Sequence, residues 1–175
     1  NRVIVDGVDA DAMACARLLA SEGHQVTMLG DRSSEQANAL AALGVTVDDE
    51  PAATSGSTLV VDCWTGETTS LVRRHRAAGA HVTSIGDLIL ERTRAHTLGV
   101  TGSGGKTTAT RTAVEMMRAG SCSAIVSTGA RADNAWPTAA LIADVHRPEP
   151  EDWLALELTS THLAYMHTSP DVAVI

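Results

Sequence analysis

Residues 98–108 read LGVTGSGGKTT, and this stretch decides the fold of the chain. The apolar start predicts a β-strand, the glycines predict a loop, and the residues after them predict the first turn of a helix. Glycines leave backbone N–H groups free to point at phosphate oxygens, and a helix N-terminus adds partial positive charge. The residues that we expect to bind the phosphates of a nucleoside triphosphate are Gly102, Ser103, Gly104, Gly105, Lys106, Thr107 and Thr108. Lys106 would reach the outer phosphates, and the Thr107 hydroxyl would bind Mg²⁺.

This loop departs from the usual P-loop pattern, G-x-x-x-x-G-K-[ST], at its first position. The pattern requires glycine where Val100 stands, and the nearest glycine is Gly99. A turn that merely joins a strand to a helix is therefore an alternative interpretation. Glycine loses more backbone entropy on folding than any other residue, so two glycines are costly to keep for a turn alone. Their position before a lysine therefore favours phosphate binding.

Outside the loop, short apolar runs alternate with amphipathic segments, a pattern typical of a parallel sheet covered by helices. The sequence therefore predicts an α/β protein. The predicted strands cover 3–5, 25–29, 58–61, 81–84, 96–100, 123–127, 153–158 and 172–175. The predicted helices cover 10–20, 35–43, 70–78, 88–94, 107–119, 137–145 and 160–165, and Asp87 is expected to cap the fourth of them.

The same pattern predicts two domains. Residues 1–94 are expected to form a Rossmann-like domain, and residues 95–175 a P-loop domain that is incomplete at its C-terminal end. The chain begins without methionine and stops inside an apolar run, so we interpret it as a piece of a longer protein.

Composition narrows the classes of function. The chain has 175 residues, 44% of them hydrophobic, with a formal net charge of -8 and only 2% aromatic residues. These values predict a soluble globular protein and argue against nucleic acid as a partner, because nucleic-acid binding needs clustered positive charge and stacking rings. The three cysteines are far apart, and no apolar run is long enough to span a bilayer. We expect a cytoplasmic monomer that acts on small molecules and has no membrane partner.

A second acidic feature lies in the apolar strand predicted at 153–158. The strand is apolar on both faces except for Glu157 near its end. Ligands of open parallel sheets gather at the carboxyl ends of the strands, so Glu157 is expected to approach Thr107 and bind Mg²⁺ with it. A solvated glutamate, or one that caps the next helix, is the alternative interpretation.

Several blocks together resemble the Mur ligases, the ATP-dependent enzymes that form amide bonds in peptidoglycan precursors, and most closely the branch that adds D-glutamate. Residues 99–108 are similar to the T-G-[ST]-N-G-K-[ST] loop of that family, with Gly104 in place of asparagine. Residues 156–160, LELTS, are similar to its E-[LV]-S-S block, and residues 170–175 to the strand that follows. Weaker similarity lies at Gly86-Asp87-Leu88.

The resemblance implies ATP and Mg²⁺ as cofactors and an acyl phosphate formed on a carboxylate substrate, which an amine then attacks. It implies catalytic roles for Lys106 and Glu157. By position, it also places a set of residues near a nucleotide-linked substrate and an incoming amino acid. These residues are Gly7, Asp11, Asp31, Arg32, Asn134, Thr159 and Ser160. His162, which follows the last two, is interpreted as a helix residue rather than a catalytic base.

The first domain departs from the family pattern where uridine diphosphate would bind. The glycine-rich turn G-x-G-x-[TS]-G appears here as GVDADA, residues 7–12, and of its glycines only Gly7 remains. Asp9 and Asp11 place carboxylates beside the expected pyrophosphate, unless one of them caps the helix. Three functions therefore stay open: a Mur-type ligase, a divergent or regulatory relative with a different substrate, and an NAD-dependent oxidoreductase.

Overall fold

The computed structural model describes residues 1–31, 35–62, 65–127 and 138–175. In these ranges the chain forms two compact units, Asn1–Ile85 and Gly86–Ile175, each built on a parallel β-sheet. The predicted α/β class is confirmed. The division predicted after residue 94 lies one helix further along the chain than the division between these units.

The first unit alternates strands and helices in chain order. Its elements are β1 (Arg2–Val5), α1 (Ala10–Ser21), β2 (Gln25–Leu29), α2 (Glu35–Ala41), β3 (Thr46–Asp48), β4 (Thr58–Val61), α3 (Ser70–Ala77) and β5 (His81–Ser84). Within the described residues, the strands pair in parallel in the order β3-β2-β1-β4-β5. Val5, Leu59 and Val61 are fully buried, as expected for central strands of a sheet that helices cover.

The second unit carries the glycine-rich loop. Its elements are α4 (Ile85–Arg92, whose first residue ends the first unit), β6 (His96–Val100), α5 (Lys106–Ala119), β7 (Ala124–Ser127), α6 (Thr138–Ala143), β8 (Trp153–Glu157), α7 (Ser160–Tyr165) and β9 (Val172–Val174). In the described part of the chain, its strands pair in parallel in the order β7-β8-β6-β9. Leu98, Val114 and Ala155 form part of a small aliphatic core between this sheet and α5.

One strand of the first sheet was not predicted. β3 is three residues long and lies at the sheet edge beside β2, where the Thr46 and Thr27 hydroxyls are 2.9 Å apart. The run Val45-Thr46-Val47 is rich in β-branched residues, which favours a strand. Its short length and exposed edge position weaken the apolar signal that identifies the other strands.

Asp87 does not cap a helix that begins at Leu88, so that prediction was wrong. α4 already begins at Ile85, and Asp87 lies in its first turn with no exposed surface. Its carboxylate accepts hydrogen bonds from the backbone N–H groups of His167 (3.0 Å) and Thr168 (2.8 Å). A buried carboxylate needs hydrogen-bond donors to offset its loss of hydration. Here the donors belong to a turn about eighty residues away in sequence.

Asp171 connects the start of β9 to β6 through hydrogen bonds with Thr97. Its carboxylate accepts from the backbone N–H of Thr97 at 2.7 Å and from the Thr97 hydroxyl at 2.9 Å, and its own N–H donates to that hydroxyl at 2.9 Å. The backbone N–H of Thr97 and then its hydroxyl lower the pKa of Asp171 below the usual 3.8. The ionised carboxylate of Asp171 therefore stabilises the fold at pH values above 3.8.

The stabilisation by Asp171 should disappear in acid. Because the pKa is lower in the folded chain, the contribution is complete above the unfolded value and is lost as pH falls through the folded one. We expect Asp171→Asn to lower the free energy of unfolding by about 1 kcal/mol at pH 7, after allowance for solvent screening, and by less near pH 3. Denaturant unfolding at both pH values measures this. An equal loss at the two pH values would contradict the assignment, and Asp49→Asn serves as an exposed control.

No helix within the described ranges is both long enough and apolar enough to cross a membrane.

Candidate functional site

The glycine-rich loop leaves the sheet from its centre. β6 pairs with β8 on one side and β9 on the other, so that Val100 lies opposite both Glu157 and Val174. Backbone hydrogen bonds continue on both sides at the end of the strand: Leu158 N–H donates to Val100 C=O, and Thr101 N–H donates to Val174 C=O, each at 2.9 Å. The loop therefore starts from a fixed base at the carboxyl edge of the sheet, where α/β proteins bind ligands.

Gly99 lies inside β6 and not in the loop. A Cβ atom on Gly99 would come within 2.8 Å of Pro170 Cγ and 2.9 Å of Leu158 Cδ1. This glycine is required by close packing against its neighbours, and it does not replace the first glycine of the P-loop pattern. The loop itself begins after Val100.

The N-terminus of α5 is open toward the loop. Gly105 is the N-cap residue with φ of 76°, a left-handed conformation that favours glycine, and among the described residues no side chain caps this helix end. Gly102 has φ of 142°, whereas a Cβ on Gly104 would meet open space. The first N–H groups of a 14-residue helix thus face the loop, together with its partial positive charge.

Lys106 is held near the loop by a hydrogen bond to the loop backbone. Its ammonium Nζ donates to the carbonyl of Gly102 at 3.0 Å, and the side chain is half-buried. This contact holds the positive charge at the loop backbone. Because the Lys106 side chain is only half-buried, an anion can reach its ammonium, and the neighbouring loop residues Ser103 and Gly104 are exposed. Thr108, also exposed, follows in the first turn of α5.

The structure brings Thr107 and Glu157 together, as the sheet order predicts. The Thr107 hydroxyl donates to Glu157 Oε2 at 2.8 Å, and both side chains are half-buried. A hydroxyl and a carboxylate are ligands that suit Mg²⁺. Within the residues that the structure describes, no group of three or more His, Cys, Asp and Glu could hold a metal ion. A cation at this pair would take its other ligands from phosphate and water, as Mg²⁺ commonly does.

Thr159 and His162 cap α7. The Thr159 hydroxyl accepts from the His162 N–H, and His162 Nδ1 accepts from the Thr159 N–H, both at 3.2 Å. This reciprocal capping box agrees with the interpretation of His162 as a helix residue. Ser160, the first residue of α7, is exposed. The substrate contacts expected of Thr159 and Ser160 stay predictions.

Two further predicted substrate residues, Arg32 and Asn134, lie outside the residues that the structure describes.

The remaining predicted residues lie in the first unit, at the carboxyl ends of β1 and β2. Gly7 follows β1 with φ of 99°, Asp11 lies in the first turn of α1, and Asp31 is exposed after β2. Asp9, not Asp11, is the N-cap of α1, since its Oδ1 accepts from the Ala12 N–H at 2.8 Å. The capping interpretation is thus confirmed for Asp9.

The environment of Asp6 was not predicted from the sequence. This residue follows β1, is only 9% exposed, and accepts a hydrogen bond from the Thr65 hydroxyl. Burial raises the pKa of Asp6, the Thr65 hydrogen bond opposes this, and the charge of Asp62 raises the pKa further. A polar residue directly after a buried parallel strand is the signal that could have identified Asp6.

Comparison with known proteins adds a family relationship. The chain is 32% identical over 185 residues to the UDP-N-acetylmuramoylalanine--D-glutamate ligase of Symbiobacterium thermophilum, covering 100% of this chain and 39% of that protein. It is 34% identical over 182 residues to the ligase of the same name from Frankia casuarinae, covering 98% and 36%. The chain thus spans somewhat more than a third of the length of these curated relatives. No protein-family profile matches it.

A solved structure supports the fold. The structure of UDP-N-acetylmuramate:L-alanyl-gamma-D-glutamyl-meso-diaminopimelate ligase from Neisseria meningitides aligns with a TM-score of 0.52 at 15% identity. The alignment covers 99% of this chain and 59% of that one. At this level of identity the similarity concerns the fold alone.

Proposed function

This chain belongs to the Mur ligase family, and from that premise we propose that it is part of an ATP-dependent ligase that joins a carboxylate to an amine. The observation that carries the proposal is the Thr107–Glu157 hydrogen bond beside Lys106, at the open N-terminus of α5. This edge of the sheet thus combines a helix end that can bind anions, the Lys106 ammonium, and two oxygen ligands suited to Mg²⁺.

Each residue of this site has a role in the proposal. The backbone from Gly102 to Gly105 and the N-terminus of α5 would hold the phosphates of ATP. Lys106 would exchange its bond to the Gly102 carbonyl for a phosphate oxygen, which carries more negative charge than a carbonyl. Thr107 and Glu157 would hold Mg²⁺, which neutralises phosphate charge when it is bound.

Positioning and charge neutralisation provide most of the catalysis of phosphoryl transfer, so a site of this kind needs no nucleophilic side chain. We propose that the substrate carboxylate accepts the γ-phosphoryl group and that an amino-acid amine then displaces phosphate from the resulting acyl phosphate. The product would be an amide of the peptidoglycan type. The names of the curated relatives make a UDP-linked muramoyl carboxylate the first substrate to test. We further propose small molecules as its partners, a monomeric state and a cytoplasmic location.

Two other functions are less well supported. An NAD-dependent oxidoreductase would need the second glycine of the dinucleotide fingerprint, and Asp9 occupies that position. A regulatory relative that binds ATP without ligation is the second candidate, and the departures in residues 7–12 favour it. The arrangement of Lys106, Thr107 and Glu157 favours an ATP-binding protein over the oxidoreductase, and phosphate release by the complete protein separates the ligase from the regulatory relative.

Nucleotide choice provides the first test. We expect Mg-ATP to raise the unfolding temperature of the 175-residue chain, and NAD to leave it unchanged. Protection by NAD without protection by Mg-ATP would refute the proposal. In the complete protein, phosphate release should require both a carboxylate and an amine. Release that needs neither would assign the regulatory function.

A further inference from the structure

The first sheet has a topological switch point beside β1, where the connections to the next strands leave in opposite directions. In the order β3-β2-β1-β4-β5, the chain proceeds from β1 to β2 on one side and later returns to β4 on the other. The Asp6 N–H donates to Val60 C=O at 2.9 Å, which ties the end of β1 to the end of β4. Open α/β sheets bind phosphates at this position, between the first strand and the N-terminus of the following helix.

The helix end at this switch point, the N-terminus of α1, is already capped by Asp9. Asp9 accepts from the Ala12 N–H through its carboxylate and from the Met13 N–H through its carbonyl. A pyrophosphate would have to displace the carboxylate of Asp9 to reach the Ala12 N–H. The N-terminus of α5 differs, because Gly105 has no side chain to accept from it. The chain thus keeps one helix end open to phosphate and closes the other with a fixed negative charge.

Negative charge is concentrated around the same point. Asp62 follows β4, and its Oδ2 lies 3.6 Å from the position that a Cβ on Gly7 would take. The charges of Asp62 and Asp9 both act on Asp6, whose pKa burial has already raised. Adding a diphosphate here would bring like charges together in a partly buried place, where solvent screens them poorly.

We infer that Asp9 is a specificity-determining residue that excludes diphosphates from the first unit, so that the carboxylate substrate of the ligase carries no nucleoside diphosphate. This inference rests on the proposed ligase function and narrows its substrate class. It separates the chain from its curated relatives, whose names specify a UDP-linked substrate.

Calorimetric titration with UDP, and with UDP-N-acetylmuramoyl-L-alanine, tests the inference. The wild-type chain should show no saturable binding up to about 1 mM of either compound. Asp9→Asn keeps an N-cap of equal quality and removes the charge, so it should bind UDP at least tenfold more tightly, on the order of one unit charge at close range. Asp9→Gly also restores the fingerprint glycine and should bind more tightly still. Asp144→Asn, which removes an exposed charge from the second unit, should behave as wild type.

The outcomes separate the inference from the proposed function. Saturable binding of UDP or of UDP-N-acetylmuramoyl-L-alanine to the wild-type chain with a Kd below about 1 mM would overturn the inference. It would also be overturned if both Asp9 variants remained folded, by their unfolding midpoints, and bound UDP no better than Asp144→Asn. Mg-ATP is included throughout, because failure of Mg-ATP to bind while UDP also fails would refute the ligase and not the assignment of Asp9.

Discussion

Lys106→Ala should weaken the binding of Mg-ATP by about 100-fold, which corresponds to the loss of one charge-assisted hydrogen bond in a partly desolvated site. In the structure the ammonium is directed over the loop by the Gly102 carbonyl, and no other positive side chain lies in residues 101–110. Thermal protection and calorimetry measure the loss. Arg111→Ala removes a positive charge from the exposed face of the same helix and should leave ATP affinity within about twofold of wild type.

The composition of the chain provides a second readout for the same residue. Lys106 is the single lysine among the 175 residues. An amine-reactive reagent can therefore modify only this side chain and the amino terminus, and mass spectrometry can distinguish the two. We expect Mg-ATP to protect Lys106 and to leave the amino terminus reactive. Equal labelling of Lys106 with and without saturating Mg-ATP would show that the ammonium does not contact the nucleotide.

Glu157→Gln should have the second largest effect. The amide keeps the size of the side chain and its hydrogen bond to the Thr107 hydroxyl, but it lacks the negative charge that a divalent cation requires. We expect the Mg²⁺ concentration for half-maximal ATP protection to rise at least tenfold, and ligation by the complete protein to fall about 100-fold. Titration of Mg²⁺ at fixed ATP measures the first effect.

The control for Glu157 is Glu151→Gln, an identical change at an exposed residue two positions before β8. It should leave the Mg²⁺ dependence unchanged. If Glu157→Gln also leaves it unchanged while the variant remains folded, the carboxylate is a capping or solvated group, as the alternative interpretation holds. ATP binding would then depend on the helix end and Lys106 alone.

The sequence predicts the second unit well because its signals are local or follow from sheet topology. The strand, loop and helix around Lys106 are contiguous, and parallel strands bring Glu157 to the same edge as Thr107 without knowledge of side-chain packing. The confirmed α/β class follows from the same alternation of apolar runs.

What the sequence could not predict depends on contacts between distant residues. Asp87 is a good capping residue by type, but its buried carboxylate serves a turn at residues 167–168. Gly99 resembles a displaced loop glycine until the packing of Pro170 against it is known. Asp6 and Thr65 are separated by 59 positions, and no spacing rule joins them. Each of these depends on which surfaces meet after folding.

The hydrogen bonds that extend the sheet past the end of β6 have a consequence for nucleotide affinity. Because Thr101 and Leu158 are paired to the neighbouring strands, the freedom of the loop is confined to the few residues between the sheet and α5. Ordering one residue of backbone costs about 1–2 kcal/mol. A loop anchored at both its ends loses little conformational entropy when it closes on phosphate, so more of the electrostatic attraction at Lys106 and α5 remains available as affinity.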